Sequence, residues 1–176
     1  MKNLILVFIV LFSNLIFSQE KNTKKLESPI DFPILLSGNF GELRSRGFHS
    51  GIDIKTKGKE GVDIRAIDSG YVSRVQVSTS GFGKVVYIDH GNNLTTVYAH
   101  LSRFSEKIEK IINELQYKMK KYEVRKFFRP NELKIGKKEL IGLSGNTGSS
   151  FGPHLHFEIR KTNEELPINP LFYDFD

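Results

Sequence analysis

The sequence contains no cysteine. Disulfides are therefore excluded, and so is a lipid anchor on a lipobox-type cysteine. Long apolar runs are scarce as well. The run from Leu4 to Phe12 is broken by Ser13 and Asn14, whereas a membrane-spanning helix needs about 20 continuous apolar residues. No convincing internal repeat is present. Charge of one sign does not dominate either: 26 Lys and Arg face 20 Asp and Glu, a net +6. Such an excess suits a carboxylate-rich polymer, a nucleic acid or a membrane surface alike, so charge alone decides little.

What is present begins with MKNLILVFIVLFSNLIFS, where the single charge of Lys2 precedes an apolar run that ends on a small residue. This is the pattern of a secretory signal peptide over residues 1–18. An exported chain with no stable membrane insertion after cleavage is expected, in the periplasm or outside the cell. Residues 19–29 begin QEKNTKKLES and read as a polar, flexible leader. The remainder, 30–176, is long enough for one ordinary core and too short for two, so a single domain is expected. An exported domain without disulfides needs another source of stability, and a bound metal would serve.

From Ile30 onward, short β-branched and aromatic runs (VDIRAI, GYVSRVQV, GKVVYIDH, LTTVYAHL, KELIGLSG, PHLHFEIR) alternate with Gly, Asn, Asp and Ser. This spacing predicts an all-β dominated domain of antiparallel sheets. Over FSEKIEKIINELQYKMKKYEV, the residues Ile108, Ile111, Ile112, Leu115, Met119 and Tyr122 recur at helical intervals. One inserted amphipathic helix of about four or five turns is expected there, within an insertion spanning 104–130.

All five histidines lie in or beside strand-like segments and turns. His49 and Asp53 are four apart, which puts both on one face of an extended segment, and Gly51 between them reads as room for an ion. In PHLHFEIR, His154, His156 and Glu158 point one way and Leu155, Phe157 and Ile159 the other, toward the core. Either histidine motif alone is weak. Together they offer two nitrogens and a carboxylate oxygen from distant segments, the donor set of a catalytic zinc site with its fourth position open for water. The HExxH helix signature is missing, which argues against a helical zincin with a glutamate base. His100 and His154, the member of the HxH pair not assigned to the metal, are then the candidates for proton acceptor and oxyanion donor. Glu158 is a candidate for orienting a ligand, or a surface carboxylate near Arg160 or Lys161. His90, whose sequence neighbours offer no second metal donor at a defined spacing, reads as support at a strand end rather than a groove contact.

HSGID, YAHLS and SGNTGSSFGPHLHFEIR, in this order, resemble the lysostaphin and LytM type zinc endopeptidases of peptidoglycan, over roughly residues 36–172. The resemblance implies antiparallel sheets forming a long groove, one Zn2+ per chain on its floor, and hydrolysis of peptide bonds in wall stems or crossbridges. Carried over residue by residue, it makes His49, Asp53 and His156 the metal ligands and His100 and His154 the catalytic pair. Ser45, Arg46 and the SGNTGSS loop would line the groove. The substrate partner is then a peptidoglycan peptide, not a nucleic acid, and a monomer suffices. Two departures stand out: Gly61, Val62 and Asp63 replace a Gly-x-Pro, and the connection from Phe104 to Lys134 is long. The helix within it is expected to pack on the side of the sheet rather than to bind a partner or a membrane surface, and as a further hypothesis it forms a wall or lid of the groove. The competing readings are a family member that has lost catalysis and binds wall or activates another wall hydrolase, and a metal-dependent carbohydrate or peptide binding module.

Overall fold

The computed structural model describes residues 22–45 and 47–176. The signal-peptide segment 1–18 and Arg46 lie outside the described residues. In chain order the elements are β1 (Asn22–Leu26), β2 (Leu36–Gly38), β3 (Leu43–Arg44), β4 (Gly47–Phe48), β5 (Ile52–Lys55), β6 (Asp63–Arg65), β7 (Gly70–Val77) and β8 (Lys84–Asp89). There follow β9 (Leu94–Leu101), β10 (Arg103–Phe104), α1 (Glu106–Met119), β11 (Val124–Phe127), β12 (Lys134–Ile135), β13 (Leu140–Leu143), β14 (His154–Lys161), β15 (Leu166–Ile168) and β16 (Tyr173–Phe175).

Seven strands form the main sheet in the order β11-β7-β8-β9-β14-β5-β2, with β12 added on β7 and β15 on β14. A smaller sheet, β10-β13-β6, packs beside it. Both sheets are antiparallel, as the alternating sequence runs require. One face of the main sheet buries Ile54, Val72, Ile88, Tyr98, Leu155, Phe157 and Ile159 against Ile64 and Ile141 of the smaller sheet. The other face carries a separate small cluster of Val85, Tyr87, Val97 and Ala99, with Phe82 packed on it. Leu155, Phe157 and Ile159 are fully buried, as their alternation predicts, and their neighbours His154, His156 and Glu158 occupy the opposite face.

Two expectations are corrected. The polar leader does not extend through residue 29: Lys25 and Leu26 pair parallel with Asp174 and Phe175 of β16. Leu26 and Ile30 enter the core, and Glu27 bridges Lys137 and Lys138 at 2.7 and 2.6 Å. The helix has the expected length of about four turns, but Lys120 turns left-handed (φ 51°) and closes it after Met119, which leaves Tyr122 outside it. Residues 124–127, expected inside the helical insertion, instead pair with β7 as an edge strand. Among the described residues no helix is long and apolar enough to cross a membrane.

Candidate metal centre and groove

The pairing of β14 between β5 and β9 builds the site. His156 is in register with Asp53 on one side and Ala99 on the other, and His154 is in register with Lys55. Directly opposed residues of an antiparallel pair have Cβ atoms about 5 Å apart, so Asp53 and His156 meet without help from any loop. His49 approaches from just ahead of β5. Its backbone N–H donates to Glu42 O (2.8 Å) and its carbonyl accepts from Gly41 (2.9 Å), which continues the β3–β4 hairpin. Gly51 owes its place to packing rather than to an ion: a Cβ there would collide with the Phe157 carbonyl and the Glu158 side chain.

His100 arrives by a different device. Regular alternation would send it to the face opposite Ala99, into the core. Between the pairs Lys84↔Leu101 and Val86↔Tyr98, however, β9 carries one extra residue, a bulge. His100 sits in it with φ 60°, a left-handed conformation that costs a non-glycine residue about 1–2 kcal/mol. The bulge turns its ring onto the site face, 4.8 Å from that of His154 and 5.8 Å from that of His156.

Each of the four rings donates one N–H outward. His49 Nδ1 donates to Asn39 O (2.7 Å), His100 Nδ1 to Thr147 O (2.8 Å), His154 Nδ1 to Gly152 O (2.8 Å) and His156 Nε2 to Glu158 Oε1 (2.9 Å). These bonds set the tautomers, leaving a lone pair on the other nitrogen of each ring. His49 Nε2, His156 Nδ1 and Asp53 Oδ1 lie 3.0–3.1 Å from one another, and His154 Nε2 is 3.4 Å from the same oxygen. The group is buried. Acceptors this close repel unless a cation stands among them. Tetrahedral zinc with ligand bonds of about 2.0–2.1 Å would separate its donors by roughly 3.3 Å, so the three atoms fit such an ion with small adjustment.

The surrounding charges match. Burial alone would raise the Asp53 carboxyl, yet its close contacts with the imidazoles of His154, His156 and His49 outweigh it and hold the group below the usual carboxylate range. Burial lowers His100 to about 4, so its ring is neutral at neutral pH. Burial also opposes charge on His156, but Asp53 and Glu158 prevail and raise it. Glu158 is fully buried, accepts from Ser50 and Arg160 as well as His156, and is held at about 2 despite its burial. Of its two sequence readings, the surface carboxylate is not observed: Glu158 is buried behind the His156 ring. His90 bridges Ser69 O (2.9 Å) and Thr96 Oγ1 (2.7 Å), a strand-end support away from the groove.

Arg44 and Asn39 escaped the sequence reading. Arg44 Nη2 donates to Asp53 Oδ2 (3.0 Å) and to Glu42 Oε2 (2.8 Å), reserving Oδ1 for the histidines. A Cβ at Gly38, in register with Asp53, would collide with that ion pair. No spacing rule marks either residue, since one acts through a hairpin and the other through its carbonyl.

The four rings lie along a groove of about 1220 Å³. Ser45, Phe48, Phe82, Ser149, Ser150 and Phe151 are among its lining. The first half of the SGNTGSS loop docks instead: Thr147 Oγ1 donates to Leu101 O (2.8 Å) and receives the Lys84 N–H (3.0 Å). No residue of the helix lines the groove, which corrects the lid expectation. Ile108 and Ile112 commit the helix to the core.

The profile of peptidase family M23 matches residues 47–117 and 115–170. The chain belongs to this family. Among its M23 relatives, the DD-carboxypeptidase/endopeptidase Mpg of Neisseria meningitidis is 32% identical over 129 residues, 73% of this chain and 23% of Mpg. The murein hydrolase activator NlpD of Salmonella typhimurium is 32% identical over 135 residues, 77% of this chain and 28% of NlpD. The chain thus spans about a quarter of the length of these relatives. A mutant catalytic domain of the M23 protein EnpA of Enterococcus faecalis superposes with a TM-score of 0.59 at 27% identity, covering 82% of this chain and 94% of that domain.

Proposed function

We propose that the chain is a zinc-dependent endopeptidase that hydrolyses peptide bonds in peptidoglycan stem peptides or crosslinks. In this reading His49, Asp53 and His156 hold one zinc ion, and His100 and His154 complete the reaction machinery. The observation that carries it is the convergence of His49 Nε2, Asp53 Oδ1 and His156 Nδ1 as mutual acceptors, with two further imidazole lone pairs beside them on the floor of an open groove. A bound zinc supplies a Lewis acid and lowers the pKa of water near the scissile carbonyl. The chain's own residues do the rest. His100 and His154, each fixed through Nδ1 to a backbone carbonyl, share the tasks of receiving a proton at Nε2 and steadying the developing oxyanion. Glu158 holds His156 in the tautomer that presents Nδ1 inward. Residues 1–18 would export the chain to the wall.

The similarity to NlpD supports a second reading, in which the domain activates another wall hydrolase without cutting. Retention of all three donors and both further histidines favours the enzyme. Chelator-treated protein should release no soluble muropeptides from purified sacculi, and one equivalent of zinc should restore release. Release only when a second hydrolase is added would establish the activator reading instead.

A further inference from the structure

Among the described residues, the charged side chains lining the groove are Arg44, Asp53, Lys55 and Lys57, besides the histidines. Asp53 is already shared among Arg44 and three imidazoles, and Arg44 is held by Asp53 and Glu42. Lys55 and Lys57 are different. Both are exposed, and among the described residues neither forms an ion pair with a carboxylate. Lys57 Nζ lies 4.3 Å from the centroid of the Phe32 ring, at the same end of the groove.

Lys55 is two residues beyond Asp53 on β5, so its side chain leaves the same face of the sheet, about 6.6 Å along the strand. It is also in register with His154. Its ammonium therefore reaches over the groove on the His154 side of the metal centre. An extended peptide advances about 3.3 Å per residue. A group two residues from the bond at the metal centre would thus come level with Lys55.

We infer that Lys55, with Lys57 behind it, forms a carboxylate-binding subsite that selects peptides bearing an acidic group two residues from the scissile bond. This rests on the peptidase reading of the same groove. It makes acid-bearing stem crosslinks better substrates than uncharged glycine-rich bridges. Ser150 and Gly152, which line the groove and contact His154, are neutral, so among the described residues the two lysines supply the charge beside it.

The test uses the zinc-loaded full chain and two synthetic crosslinked peptides that differ only in a free carboxyl or a carboxamide two residues from the scissile bond. The wild type should show a KM about fivefold lower for the acid, the size of a partly exposed ion pair, and the difference should shrink in high salt. Lys55→Ala should raise KM for the acid to that of the amide with kcat little changed. Lys55→Arg should restore the preference, and Lys55→Glu should reverse it. Equal KM values in the wild type, or a preference that survives Lys55→Ala and Lys57→Ala together, would overturn the subsite. If the wild type cuts neither peptide, the peptidase reading fails. Calorimetric binding of the two peptides to zinc-loaded His100→Ala then still decides the subsite: tighter acid binding supports it, and equal binding removes it.

Discussion

His156 on β14 and Asp53 on β5 face each other in strand register, with Nδ1 3.0 Å from Oδ1. Two of the three donors are thus fixed by the sheet itself. Replacing His156 by Ala should abolish stoichiometric zinc binding, whereas His100→Ala should retain zinc and lose turnover. Elemental analysis of both purified variants checks this, and full zinc content in His156→Ala would show that the donor set is wrong.

Glu158 accepts from the ring nitrogen of His156 that faces away from Asp53. Loss of such an outer hydrogen bond typically weakens metal affinity about 10- to 100-fold. Glu158→Gln, which keeps the volume and removes the charge, should show that loss in a competition titration with a chromogenic chelator. Unchanged affinity would mean that the carboxylate serves only Arg160 and Ser50.

The histidine shifts give two pH effects of definite sign. His156 is raised in the zinc-free chain by Asp53 and Glu158 despite its burial, so protons compete with zinc for the ring. Calorimetric zinc titrations in buffers of different ionisation enthalpy should therefore report proton release, and affinity should fall on acidification. His100 is depressed from 6.5 to about 4. The unfolded chain takes up a proton between these values that the folded chain does not, so stability contributed by neutral His100 is present above pH 6.5 and declines as pH falls to 4. Asn tolerates the left-handed backbone at this position. The urea midpoint of zinc-free His100→Asn should lose less than the wild type across that window; parallel profiles would place His100 in a less buried setting.

Ile112 is 1% exposed and belongs to the main core. Truncation to Ala should destabilise the fold by about 2–5 kcal/mol and leave KM unchanged in the protein that remains folded. A changed KM with intact stability would return the helix to the groove.

The strand pattern was legible where period 2 governed side-chain direction. Leu155, Phe157 and Ile159 entered the core, and His154, His156 and Glu158 shared the other face. Helical spacing likewise exposed the Ile108–Ile112 stripe, which packs into the core as expected, whereas the wall or lid hypothesis rested only on the insertion following His100 closely in sequence, and it failed. Residues 22–26 looked like a leader because lysines dominate them, and only a long-range pairing with β16 makes them a strand. His100 reached the site through a bulge that alternation does not foresee, although its motif resemblance had marked it. Arg44 and Asn39 act through a hairpin and a backbone carbonyl, which leave no spacing to read.

The most direct measurement is mass spectrometry of crosslinked sacculi of known chemistry after digestion with the zinc-loaded chain alone. The account expects soluble muropeptides carrying one new amine and one new carboxyl at a peptide bond, and none with His100→Ala. A chain that binds one zinc yet liberates no new amine from any sacculus would contradict it.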